Sequence, residues 1–419
     1  MIQAAPALLN AQVGATRHPL VAGGKPVARS VRDGIRITLH EDLVGIEHDW
    51  RAFEQHADCT VFQCFDWLAA WQRHIGSRRG VRPAIVVGRD DGGAMLFLLP
   101  LAIERAGFAC CLTWLGSDLC DYNAPLLAAD FPVAVGPGRF ASLWREIGRR
   151  LQGNAGLQYD FVCFDKMPEQ VGGQDNPFTQ LAVAASANRA YLSHLTDDWE
   201  SFYAAKRSST TRRRDRTKRK RLSEHGEIRF VGMRSVEDIA ATFDLLMAQK
   251  AGSLARMGVS NIFERRGYRK FFLDIATGTA SHKLVHISRL DIGQGTAAAN
   301  LGLVFRDRYY HVIASHDIGE ISRFGPGMAH LHDLLRYAIE RRCRVFDFTI
   351  GNERYKREWS DVEMTLYDHV AIARWRGIPA AVGSIAVFRL KCLIKRTPAL
   401  WDAVCRFRSF LGSLRRENS

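Results

Sequence analysis

The residues best placed to do chemistry fall between Tyr309 and Trp359. Tyr309-Tyr310-His311-Val312-Ile313-Ala314-Ser315 reads as a strand, and Arg323-Phe324-Gly325-Pro326-Gly327 as a tight turn. Met328 to Arg342 reads as a helix and Val345-Phe346-Asp347-Phe348 as a short buried strand. A glycine turn at a helix N-terminus can hold a phosphate, because unpaired N–H groups and the helix dipole face the anion. Pro326 withholds one of those donors. Beside the turn, His311, His316, Asp317 and Glu320 could move a proton. Asp317 is the expected base, since it follows the strand and precedes the turn. An aspartate there also caps turns, and that reading stays open. After Gly351-Asn352, Tyr355 and Trp359 stand four apart and share a helix face, with Lys356 next to them. An aromatic lid with a solvated lysine is the plainer alternative.

A second concentration of chemistry is cationic. Lys206, Arg207, Arg212, Arg213, Arg214, Arg216, Lys218, Arg219, Lys220 and Arg221 follow one another with Asp215 as the only acid. Charge on every side of a helix keeps it from deep burial, and neighbouring arginines repel unless anions are near. Arg207 and Arg212, with Trp359, are the expected substrate contacts; a solvated helix is the plain reading. Phosphates of a donor, a lipid-linked sugar or tRNA would suit the segment. No aromatics interleave the cations, which argues against sequence-reading RNA binding.

Stepping outward, 419 residues suggest two to three domains, and 47% hydrophobic with 24% charged residues is ordinary for globular cores. A net charge of +14 favours phosphate-bearing ligands, nucleic acid, acidic carriers or anionic membranes. The nine cysteines include no Cys-x-x-Cys pair, so reduced thiols are expected and no metal site. The N-terminus lacks a secretory pattern, and the longest apolar run, Ala94 to Ile103, is too short to span a bilayer. A cytoplasmic protein is expected, peripheral to the inner membrane at most.

Element order suggests an α+β fold with a flexible tail at 1–34, one unit at 35–185, a second at 186–376 and a basic amphipathic tail at 377–419. Each unit runs helices, a three-strand meander, a helix and a closing strand. The tail carries Arg389, Lys391, Lys395 and Arg396 among Val387, Leu390 and Leu393, and could lie on an anionic membrane surface.

These features together carry a resemblance. Phe62-Gln63 with Trp67 and Trp71, Lys220-Arg221-Leu222, Arg289-Leu290-Asp291, Pro326-Gly327, and Phe346-Asp347-Phe348 with Gly351, Tyr355-Lys356 and Trp359 stand in one order over roughly residues 45 to 370. In that order the chain resembles GNAT-superfamily acyltransferases of the BioF2-like type, some of them linked to cellulose biosynthesis. It is more distantly similar to the Fem-type peptidoglycan-bridge aminoacyltransferases. The resemblance implies tandem GNAT-like domains, each a mixed, mostly antiparallel sheet flanked by helices. It implies an acyl-CoA thioester as donor, and an amine or hydroxyl of a cell-envelope or polysaccharide-related acceptor. Donor contacts would come from Ser315, Arg323, Gly325, Gly327 and Met328, and catalytic groups from Asp317, Tyr355 and Lys356. The family's Gln/Arg-x-x-Gly-x-Gly/Ala pattern meets Ser322 at its first position, a departure. Lys356 resembles the lysine of a Phe-Lys pair that faces the substrate site in Fem-type enzymes. No phosphate turn is expected in the first unit. Two alternatives stand beside this: aminoacyl transfer from charged tRNA, and a non-catalytic scaffold in a polysaccharide-synthesis complex.

Overall fold

The computed structural model describes residues 34–278, 284–397, 399–400, 403–404 and 406. The tail expected at 1–34 lies outside the described residues save for Gly34, as does most of the basic tail beyond residue 397.

Alternating and continuous apolar runs give the first half its strands. β1 (Arg36–His40), β2 (Arg82–Arg89), β3 (Met95–Ala106) and β4 (Ala109–Trp114) pair antiparallel in sequence order. Between β1 and β2 lie α1 (Glu47–Glu54) and α2 (Phe65–Trp71), whose Trp67 and Trp71 are wholly buried in the core. The short β5 (Leu126–Leu127) pairs with β3, and α3 (Phe131–Val135) and α4 (Phe140–Gly153) lead to β6 (Phe161–Pro168). β6 lies parallel to β4. A small hairpin of β7 (Gln170–Val171) and β8 (Gln174–Asp175) closes this half.

The second half opens with β9 (Val183–His194), α5 (Trp199–Lys206) and the basic α6 (Ser209–Ser223). β10 (Ile228–Gly232), α7 (Val236–Arg256) and α8 (Tyr268–Thr277) precede the meander β11 (Val285–Ile292), β12 (Gly295–Phe305) and β13 (Arg308–His316). Then come α9 (Pro326–Glu340), β14 (Val345–Ile350), α10 (Arg354–Trp359) and β15 (Val362–Ile372). Side chains cap the helix starts: Asp198 accepts from the Ser201 N–H, Ser208 from Thr211 and Ser235 from Asp238.

The fold is α+β, and the two halves fuse into one 13-stranded sheet ordered β1-β2-β3-β4-β6-β15-β9-β14-β13-β12-β11-β10, with β5 beside β3. β15, the last strand of the second half, lies between β6 of the first and β9. The expected unit boundary at 185 falls within β9.

Cores cover both faces. On one, α2 meets α8 across the halves, with Trp67 edge-on to Phe271 at 5.0 Å. Phe62, Phe243, Leu301 and Tyr310 share that core. On the other face Trp114, Phe164 and Phe178 fill the first half, and Tyr309, Phe346, Leu334 and Trp359 the second. Each large buried side chain contributes roughly 1.5–3 kcal/mol, so the shared α2–α8 core holds the halves in fixed register.

α11 (Ile378–Arg396) follows. It rests on the sheet through buried Ala381 and leaves Ile378, Val382, Val387, Leu390 and Leu393 exposed. The stretch Trp375–Arg396 is long and apolar enough to cross a membrane, by length and composition.

Candidate active site

The site begins where two parallel strands part. β13 and β14 pair only at Arg308–Val345, Tyr309–Phe346 and Tyr310–Asp347. Beyond that, β13 stays with β12 as far as His316, while β14 stays with β9 through Thr349–Tyr191 and Ile350–Ala190. Bulges near His311–Ile313 and at Phe348 turn the strands apart. Thr349 takes a left-handed φ of 58°, a costly conformation for a β-branched residue. Its N–H donates to Asp347 Oδ1 at 2.8 Å, and its hydroxyl reaches the His311 carbonyl at 3.4 Å, which pins the apex of the gap.

Ladder geometry says which backbone groups face the gap. The Asp317 N–H donates back to Ala297 of the β12 side at 2.8 Å. Alternation then turns Ser315 the same way and turns Ala314 and His316 into the gap. The Ser315 hydroxyl donates to Gln249 Oε1 on α7 at 2.8 Å. Ser315, an expected donor contact, is thus committed elsewhere, and its two neighbours present their backbone instead.

Two ammonium groups hold the carbonyls of the parted strands. Lys250 Nζ of α7 donates to the Ala314 carbonyl at 3.2 Å. Lys356 Nζ of α10 donates to the Ile350 carbonyl at 2.6 Å and pairs with Glu353 at 3.4 Å. Burial, with Lys356 nearby, pulls the Lys250 amine below its ordinary value. Lys356 is buried, so the alternative of a solvated lysine does not hold. A Cβ on Gly351 would sit 2.7 Å from Lys356 Nζ; only glycine, at φ 143°, leaves the ammonium room.

His311 lies inside this cluster. Burial, then Lys356, push its imidazole down to about 3, so it is neutral. Tyr355 stands edge-on to it at 6.4 Å and 89°. Burial, then Glu353, hold the Tyr355 phenol above its usual value, so it keeps its proton.

The first half reaches in through the loop after β4. The Tyr122 hydroxyl donates to Asp347 Oδ1 at 2.7 Å. Asp347 is fully buried, with Arg308 at 3.4 Å as its counter-charge. Burial lifts the neighbouring Asp121 carboxyl above its ordinary value, against the pull of Lys166 and Lys356. A carboxyl so raised beside a gap is a candidate for proton transfer.

Arg207 and Trp359 form a separate group, and Arg212 stands on α6. The Arg207 guanidinium sits 4.3 Å over the Trp359 ring and pairs with Glu358 at 3.1 Å. His332 of α9 stands 5.2 Å from the same ring. Arg207 Nε, Arg212 Nε, His332 Nε2 and Trp359 Nε1 are buried with no hydrogen-bond partner. Burial pushes His332 down to about 4. The basic helix α6 is tied to α9 by Arg219–Asp333 at 3.1 Å.

At the wide end of the gap, Gly325 takes φ 71° and α9 starts at Pro326, two residues before the expected Met328. The Met328 and Ala329 N–H groups both donate to the Gly325 carbonyl at 3.1 Å, which leaves Gly327 to offer its N–H. A Cβ on Gly327 would stand 3.2 Å from the His316 ring, so the turn and the end of β13 touch. Arg323 is exposed over Phe324. Asp317 also sits at this mouth, in His316's field and against Gly319.

The structure therefore brings Tyr355 and Lys356 together at the apex and leaves Asp317, Arg323, Gly325, Gly327 and Met328 at the mouth. Sequence reasoning missed Lys250, Glu353, Asp121 and Asp347 as site residues. Asp121 has one legible signal, the acid-rich loop Asp118, Asp121, Tyr122, Asn123 after an apolar strand, and Asp347 another, its place in Phe346-Asp347-Phe348.

Residues 209–357 match the family model described as an acetyltransferase (GNAT) domain. The match lies wholly within the second half, which is similar to GNAT acetyltransferase domains. Two solved structures are similar in fold to this chain over about four fifths of its length. FemX is 10% identical, covering 79% of this chain and 96% of its own, with a TM-score of 0.51. A conserved protein of unknown function from Bacteroides thetaiotaomicron is 13% identical, covering 81% of this chain and 100% of its own, with a TM-score of 0.50. No curated protein matches the chain significantly. The GNAT match starts at the basic helix α6 and ends inside α10, so it contains the gap, the turn and Tyr355-Lys356.

Proposed function

We propose that the second half transfers an acyl group from a thioester, an acyl-CoA, to an amine or hydroxyl entering between the halves. The observation that carries this is the parted β13–β14 pair, whose Ala314 and Ile350 carbonyls are met by the ammonium groups of Lys250 and Lys356. An extended thioester arm can take the backbone groups of Ala314 and His316 in place of a strand. The turn residues Gly325, Gly327 and Met328, with Arg323, then border the donor's phosphates at the mouth. Asp317 also lies at that mouth, so Asp121 replaces it as the proposed base. Asp121 takes the acceptor's proton while the nucleophile attacks the thioester carbon. Backbone N–H groups freed at the β13 bulge receive the oxyanion. The carbon–sulfur bond breaks, the thiolate leaves hydrogen-bonded to the Tyr355 hydroxyl and takes a proton from water, and Asp121 returns the acceptor's proton to solvent. The resemblance to Fem-type enzymes supports a cell-envelope or polysaccharide precursor as acceptor, and the cations at Arg207 and Arg212 suit a phosphate on it. Titration with acetyl-CoA, long-chain acyl-CoA and charged tRNA at two salt concentrations tests the donor. Binding of a thioester is expected; tRNA binding alone, with a steep salt slope, would replace the donor class.

The exposed apolar side of α11, with Arg389, Lys391, Lys395 and Arg396 on the same helix, suits an anionic membrane surface. Co-sedimentation with phosphatidylglycerol vesicles is expected and should fall about tenfold in Leu390→Glu. Equal sedimentation of both proteins would remove the membrane from the account.

A further inference from the structure

A second cavity, of about 510 Å³, opens on the far side of the second half, between β10, β11 and the last turns of α9. Phe230, Arg234, His286, Tyr337 and Arg341 line it. His286 is 8% exposed and stacks on Tyr337 at 4.0 Å and 8°. Its Nδ1 lies 2.9 Å from the Tyr309 hydroxyl, and its Nε2 has no partner. The cavity is within the size range of small-molecule sites, and a buried polar atom without a partner in its lining calls for a ligand or water.

The hydrogen-bond network fixes what Nε2 offers. Asn300 is satisfied when its oxygen accepts from Gly302 N–H at 3.1 Å and from Tyr309 O–H at 2.8 Å. Its nitrogen then donates to His311 Nε2 and to the Ile313 carbonyl, each at 3.2 Å. Tyr309 has spent its hydrogen on Asn300, so its oxygen accepts from His286 Nδ1–H. His286 is neutral, its pKa pushed down to about 3 by burial and by Arg341, so Nε2 carries a lone pair. A partner for Nε2 must bring a hydrogen. Arg234 and Arg341, exposed at the rim, ask that it also be anionic.

We propose that this cavity is a second ligand site that takes a small anion bearing a hydroxyl hydrogen, a monohydrogen phosphate or a hydroxycarboxylate. The hydroxyl donates to His286 Nε2 and the negative charge lies between Arg234 and Arg341. The same chain runs on through Tyr309 and Asn300 to His311 in the parted-strand site. A ligand that locks the His286 tautomer therefore locks the tautomer of His311 with it. The binding site does not depend on the acyl-transfer reading.

The test is histidine ¹⁵N NMR of the full chain at neutral pH, titrated with inorganic phosphate or glycerate. Sulfate and acetate are the controls without a hydroxyl hydrogen. The expected result is a saturable shift of His286 Nε2 by phosphate or glycerate, followed by His311. Sulfate and acetate should bind about tenfold more weakly or less, and Arg234→Ala with Arg341→Ala should weaken the shift about tenfold at unchanged melting temperature. No shift with either probe would mean that water alone meets His286. Equal response to sulfate and phosphate, or a response that survives the double substitution, would reduce the effect to surface charge. Any of these outcomes overturns the proposal.

Discussion

In the first half, β4 and β6 pair at Cys111–Phe161 and Leu112–Val162 and then part; in the second, β13 and β14 part beyond Tyr310–Asp347. Each closing strand carries a left-handed residue that is not glycine, Lys166 at φ 54° and Thr349 at φ 58°. An aspartate accepts from the N–H of each, Asp368 at 3.0 Å and Asp347 at 2.8 Å. Gly136-Pro137-Gly138 precedes α4 as Gly325-Pro326-Gly327 opens α9. What differs is the filling. In the first half Trp114 packs on Phe164 at 5.0 Å, and Lys166 Nζ is bound by the carbonyls of Ser117 and Cys120. Asn123 and Ser117 hold Asp165. That gap is closed by its own side chains. In the second half the Ala314 and Ile350 carbonyls are each met by a lysine ammonium, and the loop that plugs the first gap delivers Asp121 and Tyr122 to the second. One frame is thus filled in the first half and left parted in the second.

The contrast can be broken by substitution. Asp121→Asn should lower kcat/KM by roughly 10²–10⁴-fold with its unfolding midpoint kept; unchanged turnover would remove Asp121 as base. Trp114→Ala, in the filled gap, should cost about 3–5 kcal/mol of stability in urea titrations. If it lowers turnover instead, the first gap is not mere scaffold. Tyr122→Phe strips a donor from buried Asp347 and should cost about 1–3 kcal/mol. A null effect there would uncouple the halves.

Acid and base sharpen the same contrast. His286, His311 and His330 of the second half are each pushed down to about 3 by burial. The unfolded chain binds protons they refuse, so stability is lost as pH falls from about 6.5 toward 3, near 1.4 kcal/mol per pH unit for each. Burial raises Glu54 of the first half to about 7, against the Phe65 N–H bond it accepts at 2.7 Å. Its contribution is whole below about 4.5 and lost as pH rises through 7. Urea midpoints across pH should show His330→Phe flattening the acid side and Glu54→Gln the neutral side. Slopes unmoved by either change would contradict these burials.

The sequence made much of this legible. Periodicity marked the β11–β13 meander, α9 and β14, and the glycine turn was placed to within two residues, because those features are local. The insertion of β15 between β6 and β9 was not legible, since pairing between strands nearly 200 residues apart leaves no local mark. Asp317 drew attention by standing next to the turn, and that adjacency is what puts it at the mouth. Lys250 and Asp121 were passed over because each reaches the apex from a distant element. Gly136-Pro137-Gly138 was overlooked as well. There Gly138 takes φ 71° and α4 starts only at Phe140, so the glycines form a turn before the helix instead of opening it.

The most direct test of one gap filled and one gap open is amide hydrogen exchange of the full chain with and without acyl-CoA. Slowed exchange at Ala314 and His316, with none at Thr113 to Ser117, is the predicted result. Protection in the first half, or none in either half with any thioester, would contradict the account.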